Sequence, residues 1–155
     1  MEHIKYKMQI KKKSGFTILE LVVVMAIVAV LTSFILTLFS SSSAKSRDVR
    51  RESDLKELQR LLALYVSNSG IYPICDYKTE IDGISDCLSS KLISSGTTKI
   101  IPKDPRNGIG DGSCGDPSSF YYCYYSLDGG TYELGYLLET DSIINKSAGW
   151  QIVRP

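Results

Sequence analysis

Glu20 is the only charge in the run from Phe16 to Phe39, where the other polar points are the hydroxyls Thr17, Thr32, Ser33 and Thr37. A carboxylate at the centre of a bilayer helix costs roughly 3 kcal/mol. Two chemistries are open to it. It snorkels to the interface and does nothing specific, or it neutralises a cation carried by another chain. Lys11, Lys12, Lys13, Ser14 and Gly15 stand directly before the run. Four cysteines, Cys75, Cys87, Cys114 and Cys123, form a second set of reactive groups. None makes a C-x-x-C pair, which removes the usual spacing of metal and thioredoxin sites. Their even number beyond the apolar run suits disulfides in an oxidising compartment. Three pairings are possible, and Cys75–Cys87 with Cys114–Cys123 is expected because each closes a short loop; buried free thiols are the alternative.

The sole histidine is His3, inside the basic leader. With that leader removed, Ser-His-Asp catalysis, Cys-His catalysis and imidazole zinc sites are all excluded. No nucleophile or phosphate motif is present, so the chain is expected not to be an enzyme. Asp104, Asp111, Asp116 and Asp128 lie in glycine-rich loops and are candidate Ca²⁺ ligands through their oxygens. "DPRNGIGDGSCGD" departs from EF-hand spacing, and a turn-rich loop pinned by Cys114–Cys123 explains the same residues without metal. No cofactor is expected otherwise.

Charge is unevenly placed. Residues 1–15 hold five lysines against one acid, whereas the remainder has 13 basic and 16 acidic residues. From Gly70 onward the count is 7 basic against 11 acidic. A surface of that sign does not hold phosphates, which argues against nucleic acid as the primary ligand.

The elements that position these groups follow from periodicity. Twenty-four residues from Phe16 to Phe39 would span about 36 Å as a helix, enough for a bilayer. The lysines on its N-terminal side predict a cytoplasmic N-terminus and an exported C-terminus. A secretory signal cut near "SSSSA" (40–44) is the alternative, but such signals have apolar regions of about 7–15 residues. Beyond it, Leu55, Leu58, Leu61, Leu62 and Tyr65 trace one helical face. Asp48, Arg51, Glu52, Lys56, Glu57 and Arg60 are expected on a solvated opposite face. Asn68-Ser69-Gly70 predicts the stop, giving a helix over 16–69 about 80 Å long.

Residues 70–101 read as irregular apart from a short helix at "CLSSKLISSG", and "IIPKDPRNG" as a turn. "FYYCYYS", "LDGG" and "TYELGYLLE" predict a β-hairpin with Tyr132, Leu134, Tyr136 and Leu138 on one face. "GWQIVRP" supplies a last strand or tail. The tyrosines could stack bases or sugars, but the acidic charge and the alternation favour a core sheet.

"KKKSG" followed by "FTILELVVVMAIVAVL" closely resembles the class III leader and N-terminal helix of type IV pilins and pseudopilins. The resemblance implies cleavage between Gly15 and Phe16 by a prepilin peptidase, N-methylation of Phe16, and Glu20 as fifth mature residue. In that family a filament's glutamate meets the N-terminal amine of its neighbour. Met8 gives a leader length more usual there than Met1. "DLKELQRLLALYVSNSGIYP" and "PKDP" are similar to later pilin elements, whereas the helix-breaking proline of many members would fall at Thr37 and is absent.

The implied fold is α+β and pilin-like: a long N-terminal helix packed on a small C-terminal antiparallel β-sheet. Its parts are a cleaved leader (1–15), a transmembrane and filament-core helix (16–39), its amphipathic continuation (40–69) and a disulfide-stabilised head (70–155). The implied role is a structural subunit of a type IV pilus, with further copies of itself, the peptidase, an assembly platform and ATPase, and the cytoplasmic membrane as partners. It would begin as a single-pass precursor and end in an extracellular pilus or an envelope pseudopilus. A secretion or DNA-uptake pseudopilin is the related alternative. A membrane-tethered monomeric binding module is the alternative of another class.

Overall fold

The computed structural model describes residues 15–109 and 113–155, leaving aside the side chains of 36–41. Helix α1 runs from Ile18 to Ser69. Thr17 caps it: its Oγ1 accepts the Glu20 amide at 3.2 Å, satisfying one of the free donors of the first turn. It ends where Gly70 adopts φ +81° and donates to the Val66 carbonyl at 2.8 Å, a left-handed stop that glycine permits at little cost. The chain divides at Phe39/Ser40 into two units.

In the first unit, Ile18–Ile35 is long and apolar enough to cross a membrane, about 27 Å at helical rise. Its large side chains are all exposed. The hydroxyls of Thr32 and Ser33 donate back to the Val28 and Val30 carbonyls, both at 2.7 Å, so neither presents an unsatisfied polar group to an apolar surrounding.

The second unit builds its core on α1. Leu55, Leu58, Leu61 and Leu62 are buried against a four-stranded antiparallel sheet of order β1-β2-β3-β4. The strands are β1 (Cys75–Glu80), β2 (Cys123–Ser126), β3 (Glu133–Leu138) and β4 (Gly149–Val153), and helix α2 (Cys87–Ser94) follows β1. Leu134, Tyr136 and Leu138 of β3 join Tyr122, Tyr124 and Tyr132 in that core, as period-two alternation requires. Asp86 caps α2 by accepting the Ser89 amide at 2.9 Å.

Two expectations are corrected. Residues 75–80 form a strand where irregular chain is expected. A bulge between Cys75 and Thr79 leaves Asp76, Tyr77 and Lys78 all exposed, so the apolar alternation that marks a strand is missing from "CDYKTE". The polar side of α1 is not uniformly solvated either: Asp48 and Arg51 are wholly buried.

Cys75 is joined to Cys87, and Cys114 to Cys123. The first ties β1 to the start of α2. Replacing Cys75 and Cys87 together by serine should lower unfolding stability by about 3 kcal/mol for a loop of this length, read from denaturant midpoints. On the other sheet face, Trp150 lies over Gly135, where a Cβ would collide with the indole ring. Gly135→Val should therefore cost about 1–3 kcal/mol, measured as a lowered thermal midpoint.

Candidate processing and assembly site

Gly15, Phe16 and Thr17 precede the first turn of α1 in exposed chain outside regular secondary structure. Phe16 is 77% exposed, and nothing lies within 4 Å of where a Gly15 side chain would begin. A Gly15–Phe16 bond so placed is open to a protease. Glu20 follows in the first helical turn and is exposed, with its amide on the Thr17 hydroxyl. Thr17 therefore belongs to the local architecture as the helix cap. The Thr-x-x-Glu spacing of a capping box is the signal that could have singled it out. A carboxylate in the first turn also faces the positive end of the helix dipole, worth about 0.3–1 kcal/mol.

The strongest electrostatic construction lies in the second unit. Arg51 Nε and Nη2 donate to the two Asp104 oxygens at 2.7 and 3.0 Å, and its Nη1 donates to Asp48 and Glu139, each at 2.8 Å. Arg47 donates to both Glu139 oxygens at 2.7 and 2.5 Å, and Arg106 adds a bond at 3.2 Å. The second function of Asp48 is to hold the chain after β3, accepting the Glu139 and Thr140 amides at 3.0 and 2.9 Å. Phe120 closes the cluster, its ring centroid 4.0 Å from the Arg106 guanidinium carbon.

Hydrogen bonds from Arg47 first, and then from Arg51, hold the Glu139 carboxyl down at about 2 against the opposing effect of burial. Burial by itself would lower the Arg51 pKa, but its bonds to Asp104 and Glu139 raise it above the usual arginine value. One turn along, Lys146 donates to Glu52 at 2.7 Å and to the Tyr136 hydroxyl at 2.6 Å, while Tyr136 itself bonds Glu52. Burial, aided by Glu52, pushes Tyr136 up to about 12.

Three of the four candidate calcium ligands accept hydrogen bonds of their own. Asp104 is engaged by Arg51, Asp116 accepts the Ser118 amide at 2.7 Å, and Asp128 accepts that of Gly130 at 2.8 Å. Asp111 lies outside the described residues. Among the described residues no three of His, Cys, Asp or Glu converge as a metal site.

Residues 10–36, spanning the Gly15–Phe16 junction and Glu20, match the prokaryotic N-terminal methylation motif. Over 99 residues the chain is 27% identical to the type II secretion system core protein G of Vibrio cholerae serotype O1, covering 63% of this chain and 68% of that protein. The chain thus carries the N-terminal methylation motif and over part of its length is similar to a type II secretion system core protein. No solved structure is significantly similar to this chain. The charge cluster joins the head to the amphipathic part of α1, and the two disulfides lie within the head itself.

Proposed function

We propose that a prepilin peptidase cuts this chain between Gly15 and Phe16 and methylates the new Phe16 amine, and that Glu20 of one subunit neutralises that amine on the next. One observation carries the reading: a lone carboxylate sits in the first turn of an otherwise apolar exposed helix, five residues after an open glycine. The cut supplies an ammonium one residue before the helix cap, close to the carboxylate in sequence. Buried among apolar helices, an ion pair of this kind selects register, since breaking it leaves a charge uncompensated. The lysines of the leader keep the N-terminus cytoplasmic and the head outside, where its disulfides persist. The assembly platform and its ATPase extract the subunit from the membrane. Similarity to the Vibrio cholerae secretion protein favours a secretion pseudopilus as the second reading.

Gly15→Val tests the cleavage step. The variant should remain at precursor size on an immunoblot while the parent chain shortens by its leader. Equal sizes for the two would reject the assigned cut.

A further inference from the structure

The fold sorts the charges that the amphipathic part of α1 mixes along its sequence. Three of its four acids turn toward the head: Asp48 to Arg51 and Thr140, Glu52 to Lys146, and Asp54 to the Tyr122 hydroxyl at 2.9 Å. Arg47 and Arg51 turn the same way. Lys45, Arg50, Lys56 and Arg60 are left exposed; Glu57 pairs with Arg60 at 2.6 Å, and Asp54 also lies 3.8 Å from Arg50. Lys45 and Lys56 have no ion-pair partner among the described residues. Lys45, Val49, Ser53, Lys56, Arg60 and Ala63 follow one another at steps of three or four, which places them in one line on the helix. All six are exposed, on the side away from Leu55, Leu58 and Leu62.

The head carries the opposite sign. Residues 70–155 hold 11 acids and 7 bases. Asp104, Glu139, Arg106 and Lys146 are engaged in the contact with α1, so the excess of four acids persists on the rest of the head. Asp76, Asp128 and Asp141 are exposed within it and face no cation among the described residues.

We propose that the basic stripe Lys45–Lys56–Arg60 is the docking surface for the acidic head of a second copy of this chain. The inference rests on the filament reading above and names the surface by which neighbouring heads are set. Lateral charge complementarity of this kind fixes register and excludes mismatched neighbours. An anionic lipid surface is a poorer occupant. It would call for bases next to the apolar span, whereas the stripe continues to Arg60, about 22 Å along the helix from Lys45.

The test uses the full chain in cells that hold its assembly machinery, comparing the parent with Lys45→Glu/Lys56→Glu and with that pair combined with Asp76→Lys/Asp128→Lys/Asp141→Lys. Sheared filaments, processed subunit in the membrane fraction and the thermal midpoint of purified subunit are measured together. The double variant should lose filaments by about tenfold or more, with membrane level and midpoint unchanged, and the combined charge swap should restore most of them. Parent-like assembly of the double variant, or failure of the swap to rescue, overturns the proposal. Loss of the double variant from the membrane fraction also overturns it, in favour of anionic lipid. A parent chain that makes no filaments in those cells rejects the filament reading itself, a result separate from the others.

Discussion

Glu20→Ala should leave the subunit processed, membrane-inserted and folded, yet reduce filaments by about 100-fold or more. The magnitudes decide between the two roles open to this residue. As a first-turn acid on the helix dipole it contributes about 0.3–1 kcal/mol, too little to stop assembly. As partner of a neighbour's buried amine, its removal leaves an uncompensated charge at about 3–5 kcal/mol for each subunit contact. That cost recurs with every subunit added, so a growing filament feels it repeatedly. Glu20→Gln, which keeps shape and removes charge, should fail nearly as badly. A chain using α1 purely as a tether would tolerate either change. Counting sheared filaments against membrane-held mature subunit separates these outcomes.

Arg51→Met should destabilise the head by about 3–5 kcal/mol, the largest effect expected of any single change in that unit. Arg51 is fully buried and bonds Asp48, Asp104 and Glu139 together. Methionine fills much of the volume but strands two fully buried side chains, Asp48 and Asp104, around the lost cation. Arg51→Lys should recover only part of the loss, because an ammonium cannot reproduce the two-pronged bond to Asp104. The same cluster sets an acid limit. Glu139 is held near 2 in the folded head against an ordinary 4.5. A carboxyl with a lowered folded pKa adds stability that is complete above its unfolded value and is lost as pH falls through the folded one. Unfolding free energy should therefore decline from about pH 5 toward pH 2, by up to roughly 3 kcal/mol from this group. Denaturant titrations across that range should show a shallower decline in Arg51→Met.

Much of this architecture is legible in the residues, for identifiable reasons. The apolar run and leucine stripe announce α1 because helical period and burial act on the same side chains. The β2–β3 hairpin shows itself through Asp128-Gly129-Gly130 and alternating Tyr132, Leu134, Tyr136 and Leu138, all four buried in the core. β1 stays hidden because its bulge removes alternation, and pairing to β2 is a long-range fact. The charge cluster stays hidden for a related reason. Arg51 sits among residues whose (i, i+3) and (i, i+4) spacing suggests a solvated ladder, and its partners Asp104 and Glu139 lie 53 and 88 positions away. Local spacing cannot reveal which members of a mixed-charge helix meet the head. For the same reason the sorting of most bases outward and most acids inward becomes visible only in three dimensions. At the N-terminus the Gly-Phe junction and Glu20 are readable as a motif, whereas the cap formed by Thr17 is passed over among the hydroxyls.

Mass spectrometry of the mature N-terminus tests the central claim most directly. A chain that begins at Phe16 and carries one methyl group on that amine is the expected result. A terminus near Ala44, or an intact leader in assembled material, would contradict the account.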